Sequence, residues 1–373
     1  MDTLGPEFGN DNGRKAIVTR ALYGLKSAGA SFRNHLADCM RQMGYESCKA
    51  DPDLWMKPEV KPDGTDYYAY ILLYIDDALC IKHDAEAELH RLDKYFQMKP
   101  GSIGDPGIYL GAKIGKVTIQ ENGVHCWGLS PSKYVQEAVK NAEDYLKKNG
   151  KRGLDKRAAT PYPTGYAPEL DISPELNHED ASHYQSKIGV LRWMVELGRV
   201  DIITEVSELS SHLALPREGH LEVVYHIFSY CKNKHNSRMI FDPSYPELKG
   251  EFIESDWANF YGNVNEPMPP NAPKPRGKPV DTSLYVDSSH ADYKRTRRSR
   301  TGYFIYVNNA LVMWLSKKQP TIETSVFGAE FVAMKNGMEA IRGLRYKLRM
   351  MGVEVDQPTN VYGDNMSVIH NTQ

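Results

Sequence analysis

Two groups of carboxylates have residue types and positions that could support phosphoryl-transfer chemistry. Asp76 and Asp77 are adjacent and follow an apolar run, whereas Asp287, Glu330 and Asp364 lie far apart in the chain. Mg²⁺ prefers carboxylate, water and phosphate oxygens, and two such ions roughly 3.5–4 Å apart can stabilise the attacking and leaving oxygens. Each group also has an ordinary alternative, because Asp-Asp is a common turn pair and single carboxylates are frequent on protein surfaces.

The first pair is predicted to lie at the tip of a β-hairpin. Residues 67–75 are rich in β-branched and aromatic side chains, which is typical of a strand, and residues 78–82 form a returning apolar run. Residues 28–43 and 83–96 are predicted to be helices. A hairpin tip would leave both carboxylates open to metal ions and phosphates.

The second group requires a sheet edge and a crossing helix. Two predicted strands end in Asp287 and Asp364, and a predicted helix over residues 323–351 carries Glu330. If the two strands lie parallel and adjacent, their carboxylates meet at the carboxyl ends of the strands, where α/β sheets usually place their sites. A helix packed across that edge could then deliver Glu330 and complete a two-metal nuclease site.

The predicted elements divide the rest of the chain into segments. Residues 133–149 follow a Ser-Pro pair that is typical of a helix start, and residues 180–215 and 216–233 have the spacing of two or three long helices. Residues 262–281 contain six prolines and are predicted to be a semi-extended linker. Residues 283–373 are predicted to form three strands, a helix and a strand, with a hairpin at an Asn-Asn pair.

Composition and charge limit the classes of function. A chain of 373 residues is too long for one compact core, so two or three domains are expected. The net charge of −2 means that any binding of nucleic acid must depend on local basic patches. Five scattered cysteines form no CxxC pair, and no signal peptide or long apolar run is present. These features argue against a zinc site or a disulfide framework and predict a soluble intracellular protein without a membrane partner.

Local basic patches are the candidates for contact with nucleic acid. Residues 294–300 contain five Lys or Arg side chains in seven positions, directly after the strand that ends in Asp287. A solvated surface loop is the alternative for this run. The predicted nucleic-acid contacts of this region are Lys294, Arg295, Arg297, Arg298, Arg300, Lys317 and Lys318.

The first carboxylate pair lies within strings that resemble a known polymerase family. Residues 20–32, RALYGLKSAGASF, are similar to the LYGLKQAPRAW segment of copia-type reverse transcriptases, and the YIDD string follows in that family's order and separation. The resemblance implies that the segment leads into the palm helix beneath nucleotide and template. It also implies that Asp76 and Asp77 bind catalytic metal ions and that Lys26 contacts nucleic acid. Three positions depart from the common residues of the family: Ser27, Gly29 and Phe32.

The second group lies within strings that resemble the ribonuclease H domain of the same elements. VDSSHA at 286–291 with RSRTGY at 298–303 is similar to SDADWAG…KSTSGY. WLSKKQPT followed by GAEFVA is similar to WSSKKQPTVALSSTEAEYIA, and VYGDN is similar to IYCDNQSA. Three strings in this order imply that Asp287, Glu330 and Asp364 are catalytic metal-binding residues. Weaker matches between the two domains extend the resemblance over nearly the whole chain.

The resemblance implies a specific architecture and activity. The expected fold is an α+β polymerase palm and fingers fragment over 1–129, then a helical thumb or connection over 130–245. A proline-rich linker over 246–282 would lead to a truncated α/β ribonuclease H-like domain over 283–373. Copia-type enzymes copy RNA into DNA and degrade the RNA of the hybrid with Mg²⁺ or Mn²⁺. The expected partners are RNA template, DNA primer, RNA–DNA hybrid and deoxynucleotides, in cytoplasmic virus-like particles or the nucleus.

Two expected family strings have no match in the sequence, and they leave alternatives open. The family's palm also uses an Asp from a DVxxAFL-like string, and its nuclease continues into KHIDIRYHFI. We therefore expect that this chain alone does not polymerise and that its nuclease is weakened. An alternative of another class is a non-catalytic retroelement remnant that binds nucleic acid or a protein partner. An unrelated hydrolase with paired carboxylates would have to match three ordered strings by chance.

Overall fold

The computed structural model describes residues 26–75, 77–96, 98–248, 262 and 266–372. The chain divides into two compact units, residues 1–104 and residues 105–373, and both mix helices with mainly antiparallel sheets. Among the described residues, no helix is both long enough and apolar enough to cross a membrane.

A four-stranded antiparallel sheet and two helices form the described part of the first unit. The strand order is β1-β2-β3-β4. The elements are α1 Ala28–Gln42, β1 Glu46–Ser47, β2 Leu54–Val60, β3 Asp66–Tyr74, β4 Asp77–Ile81 and α2 Ala85–Asp93. Leu36, Met40 and Met43 recur at helical spacing and pack on Trp55 and Ile71 of the sheet. The predicted helix at 28–43 and the predicted hairpin at 67–82 are confirmed.

The second unit begins with a small sheet and a group of helices. The sheet has the order β5-β6-β7-β8, in which the distant strand β8 closes the edge beside β7. The elements are β5 Ile108–Tyr109, β6 Ala112–Thr118, β7 His125–Ser130, α3 Ser132–Lys148, α4 His178–Glu196, α5 Ile203–Ser210, α6 Glu218–Asn233 and β8 Met239–Phe241. Buried Tyr184, Ile188 and Leu191 of α4 and Phe228 of α6 belong to one apolar core. The predicted domain boundary after residue 129 falls within β7, the strand that pairs with β6 on one side and with β8 on the other.

A second sheet and a long helix complete this unit. The strand order is β11-β10-β9-β12, with β12 parallel to β9 and the other pairs antiparallel. The elements are β9 Thr282–Ser289, β10 Arg300–Val307, β11 Ala310–Lys318, α7 Val326–Met350, β12 Asn360–Tyr362 and α8 Met366–Asn371. The hairpin turn at Asn308 and Asn309 is confirmed, and Asn308 has the left-handed φ of 52° that Asn tolerates in such turns.

Residues 266–281 contain no helix or strand, yet they are bonded to the C-terminal end of α7 and the loop that follows. The Arg276 amide donates to the Gly352 carbonyl at 2.9 Å, and the Val280 amide donates to the Glu354 carbonyl at 3.0 Å. The Glu266 carboxylate accepts hydrogen bonds from Arg345 at 2.9 Å and pairs with Arg349 at 2.7 Å. This part of the predicted linker is therefore attached along its length and does not act as a free spacer.

Candidate metal centre

The carboxylates of Asp287, Glu330 and Asp364 lie together although 77 residues separate the first from the last. One oxygen from each residue lies within 4.8 Å of the oxygens from the other two. Asp287 and Asp364 are exposed, whereas Glu330 is buried. The arrangement has one sheltered ligand and two that face solvent, so an ion could enter from the exposed side.

The register of two strands explains why the aspartates meet. In the parallel pair of β9 and β12, Tyr285 lies opposite Tyr362. Asp287 and Asp364 each lie two residues further along, so both side chains emerge on the same face of the sheet. The predicted adjacency of the first and last strands is confirmed.

Helix α7 brings in the third carboxylate. Its N-cap residue Ser325 accepts a hydrogen bond from the Gly328 amide at 3.1 Å, which fixes the start of the helix about one turn before Glu330. Ala333 and Met334 then pack against β9, so that the preceding turn holds Glu330 over the sheet edge. Gly337 permits this close approach, because a Cβ there would lie 3.0 Å from a methyl carbon of Leu284.

The electrostatics of the cluster favour a cation. Burial raises the pKa of Glu330, and repulsion from Asp287 and Asp364 raises it further. The Ser288 amide partly offsets this, because it donates to Asp287 Oδ1 at 2.7 Å and to Glu330 Oε1 at 3.3 Å. In the described chain, no Lys or Arg forms an ion pair with any of the three carboxylates. A hard, oxygen-only donor set without a protein counter-charge fits Mg²⁺ or Mn²⁺.

The first carboxylate pair is described only in part. Asp77 is exposed at the start of β4 and lies opposite Tyr74, so it is at the hairpin tip as predicted. Asp76 lies outside the described residues. Ile75 has a φ of 53°, which is unusual for a β-branched residue and marks a tightly constrained tip. Lys26 is exposed in the turn before α1, and the string that leads to it at 20–25 lies outside the described residues.

The basic loop, residues 290–299 between β9 and β10, carries most of the predicted contacts with nucleic acid. Lys294, Arg295 and Arg297 are exposed, and Arg298 is half-buried. Lys317 is exposed on the neighbouring strand. Lys318 is half-buried, with its ammonium 4.6 Å from the centre of the Tyr293 ring. The exposed cations could contact phosphates near the carboxylate cluster.

Arg300 is a correction to the predicted phosphate contacts. It is only 6% exposed, and its guanidinium pairs with Glu208 of α5 at 2.8 Å. It also donates to Ser316 Oγ at 3.1 Å and to the Tyr293 hydroxyl. The Arg300 side chain is therefore buried, and its ion pair links α5 to the sheet of β9 to β12.

Sequence reasoning missed two residues that shape the site. Ser288 contributes a backbone amide that bridges two carboxylates. His290 Nε2 lies 3.0 Å from the Glu323 carbonyl and ties the end of β9 to the loop before α7. Ser288 acts through its own amide and His290 bonds a backbone carbonyl, so one partner in each contact is a backbone group that leaves no signal in a residue pattern.

The comparisons with known proteins identify relatives by sequence alone. No protein-family model matches the chain, and no solved structure matches it significantly. The retrovirus-related Pol polyprotein from transposon RE1 of Arabidopsis thaliana is 22% identical over 356 residues, which cover 95% of this chain and 20% of the relative. The one from transposon TNT 1-94 of Nicotiana tabacum is 25% identical over 378 aligned residues, covering 98% and 24%. The chain is related to the Pol polyproteins of copia-type retrotransposons.

The chain is also similar to a shorter transposon protein. A putative transposon Ty5-1 protein of Saccharomyces cerevisiae is 24% identical over 300 residues, which cover 80% of both chains. The present chain spans about a fifth to a quarter of the two plant Pol polyproteins. These relatives support a retroelement origin, and the activity of this portion has to be argued from its own site.

Proposed function

We propose that the cluster of Asp287, Glu330 and Asp364 is the metal centre of a ribonuclease that cleaves the RNA strand of RNA–DNA hybrids. The observation that carries the proposal is the convergence of three carboxylates within 4.8 Å near the carboxyl ends of β9 and β12, with no ion-pair partner among the described residues. The relationship to Pol polyproteins supports the substrate class, and we propose a ribonuclease H-like fold for β9 to α8.

The chain's own residues have distinct tasks in this reaction. A bound Mg²⁺ or Mn²⁺ would activate water against the phosphodiester and neutralise charge on the phosphate. Asp287 and Asp364 would hold it from the exposed side, and Glu330 from the sheltered side. The Ser288 amide orients two of these carboxylates. The exposed cations of the basic loop would bind the backbone of the hybrid and set its register.

Hydrolysis of a labelled RNA–DNA hybrid with Mg²⁺ or Mn²⁺ tests the proposal. Asp287→Asn keeps the shape of the side chain but removes its charge, and it should lower cleavage at least about 100-fold. Asp356→Asn is the matched control, because Asp356 is exposed in the same part of the chain and outside the cluster. Cleavage that survives Asp287→Asn would refute the site. No cleavage by the parent chain, with hybrid still bound, would favour a non-catalytic remnant.

A second activity is proposed for the β3–β4 hairpin. The exposed Asp77 at its tip and the constrained Ile75 fit a metal-binding turn of an RNA-directed DNA polymerase. We propose that Asp76 and Asp77 serve this role in a palm-like unit that binds template, primer and deoxynucleotides. Primer extension on an RNA template, with Asp77→Asn beside the parent, tests it. We expect little extension by this chain alone, because the palm string that supplies a further Asp has no match in the sequence. Robust Mg²⁺-dependent extension that Asp77→Asn abolishes would overturn that expectation and support the hairpin, whereas robust extension that survives Asp77→Asn would contradict the role of the hairpin.

A further inference from the structure

A cavity lies beside the basic loop, apart from the carboxylate cluster. Its volume is about 750 Å³, and it lies between the helical region and Arg295. Its helical walls come from the turn Pro168–Leu170, the connection after α5 and the start of α6. Buried His220 fixes two of these walls, because its ring nitrogens bond the Arg217 amide at 3.0 Å and the Pro168 carbonyl at 2.9 Å. The size is that of a site for a small ligand or a single nucleotide.

Part of the cavity lining is apolar. Leu170 is 55% exposed, Ile172 95% and Leu215 58%, and all three line the cavity. The imidazole of His212 lines it as well. Burial, together with nearby His220 and Lys318, lowers the pKa of His212 to about 4, so the ring is neutral at neutral pH. Apolar side chains and a neutral ring suit the face of a nucleobase.

A carboxylate without a hydrogen-bond donor lines the same space. Glu169 accepts no hydrogen bond from any described residue, and its Oε2 atom is out of contact with solvent. The neighbouring Asp171 is satisfied, because it accepts from the Tyr166 hydroxyl at 2.8 Å and from the Ser173 amide at 2.8 Å. An unpaired buried acceptor is costly, and the terminal torsion of Glu turns easily. Glu169 can therefore turn towards a ligand that brings an N–H group.

The rim of the cavity is basic. Arg295 is exposed and has no ion-pair or hydrogen-bond partner in the described chain. Arg217 lies across the opening and is already bonded to the Ser173 carbonyl and to Glu175. A phosphate at the rim would find Arg295 free, whereas a phosphate deep inside would meet Glu169. This order of charges favours a ligand whose phosphate lies at the rim beside Arg295 and whose apolar part carries a hydrogen-bond donor for Glu169.

We propose that this cavity binds one unpaired nucleotide of a nucleic-acid strand, with its base inside and its phosphate on Arg295. The base contacts His212 and the apolar side chains, and an exocyclic amino group donates to Glu169. Adenine, cytosine and guanine carry such a group, whereas the N3–H of thymine and uracil is flanked by two carbonyl oxygens that repel a carboxylate. The inference takes only the class of ligand, a nucleic-acid strand, from the proposed function. The Arg300–Glu208 pair holds the basic loop against the helical region, so both sides of the cavity keep their positions.

Fluorescence anisotropy with labelled homopolymeric oligodeoxynucleotides tests the cavity without any catalysis. The full chain carries Asp287→Asn, and the buffer contains EDTA, so neither cleavage nor metal contributes. Oligo-dA and oligo-dC should bind about tenfold more tightly than oligo-dT. Glu169→Leu should remove this preference without lowering Tm, because the carboxylate makes no hydrogen bond with the described protein. Arg295→Gln should weaken all three oligonucleotides and reduce the salt dependence, whereas Arg342→Gln should not.

Each result decides the inference. Equal binding of dA, dC and dT would overturn it, as would a preference that survives Glu169→Leu or binding that ignores Arg295→Gln. Hybrid cleavage is measured separately with the parent chain. If the chain cleaves hybrid but shows no base preference, only the proposal about the cavity is refuted. If it shows the preference without cleavage, the proposal about the cavity stands and the proposed ribonuclease activity fails.

Discussion

At the scale of single residues, the fold brings three carboxylates of like charge close together in one cluster. Asp287, Glu330 and Asp364 share one small space, and the described protein supplies only an amide, not a cation, to offset their charge. Like charges at such distances lower the free energy of unfolding, and a cation that binds only the folded state raises it again. We therefore expect stability to depend on divalent ions.

The first prediction concerns Asp364→Asn measured in EDTA. Removal of one of three repelling charges should raise the free energy of unfolding by about 1 kcal/mol, because unit charges about 4 Å apart repel by that amount even in water. Added Mn²⁺ should stabilise the parent chain clearly and the variant much less. Thermal melts with and without Mn²⁺ measure both effects. Asp356→Asn, outside the cluster, should respond to Mn²⁺ like the parent, and a destabilised Asp364→Asn would contradict the prediction.

Residue types alone led to the cluster but not to the role of Arg300. The three carboxylates lie in strings with a recognisable order, and the parallel register of two strands brings two of them together. Arg300 is one of five cations within seven positions, and nothing local separates it from its neighbours. Its partner Glu208 lies 92 residues earlier in the chain. A contact of that range is set by tertiary packing and leaves no local signal.

At the scale of elements, two glycines of α7 make a matched pair. Gly343 has open space where a Cβ would lie, whereas a Cβ on Gly337 would lie 3.0 Å and 3.1 Å from two methyl carbons of fully buried Leu284. Gly343→Ala should therefore raise the free energy of unfolding by about 0.5–1 kcal/mol through helix propensity. Gly337→Ala should lower it by about 1–2 kcal/mol through overpacking. Chemical denaturation of both variants checks the signs, and equal shifts would show that α7 does not pack on β9 as described.

The ion pair between Glu208 of α5 and Arg300 of β10 gives a third prediction. Burial raises the pKa of Glu208, although Arg300 counteracts this, so the carboxylate depends on its partner. Arg300→Met should lower the free energy of unfolding by about 3–5 kcal/mol, because it leaves a buried charge unpaired. Adding Glu208→Leu should recover most of the loss. A double-mutant cycle by urea denaturation measures the coupling, and independent, additive losses would place the two side chains apart.

Local patterns predicted most elements but not their long-range partners. The helices α1, α3 and α7 and the hairpin β10–β11 follow from apolar spacing, a helix start and an Asn-Asn turn. Strand β8, only three residues long, was not predicted, because its role is to pair with β7 more than a hundred residues away. Proline content suggested a free linker at 262–281, yet backbone amides within it find carbonyl partners beyond α7.

At the scale of the whole molecule, two half-buried histidines contribute to the response of stability to acid. Burial, with Lys187 and Lys151 nearby, lowers the pKa of His183 to about 4, and His212 also has a pKa of about 4. The unfolded chain binds these protons at its ordinary pKa near 6.5, so it holds more protons than the folded chain between pH 6.5 and 4. Stability should therefore fall as pH falls through that window. The raised pKa of buried Glu208 acts in the opposite direction.

Substitution of the histidines isolates their contribution. The double variant His183→Gln, His212→Gln should lose about 1 kcal/mol less stability than the parent between pH 6.5 and 5, after allowance for partial exposure. Urea denaturation at several pH values measures the difference. Exposed His178 replaced by Gln is the control and should leave the parent's slope unchanged. An identical slope in the double variant would mean that both rings take up protons in the folded state.

The attachment of residues 266–281 has a practical consequence for anyone who shortens the gene. Arg345 and Arg349 are each less than a tenth exposed, and both pair with Glu266, sixteen residues before β9 begins. A fragment cloned from Ser283 onwards would follow the predicted domain boundary but would discard that counter-charge and the backbone bonds of Arg276 and Val280. We expect such a product to express poorly, and the natural starting point for a shortened version is ahead of Glu266.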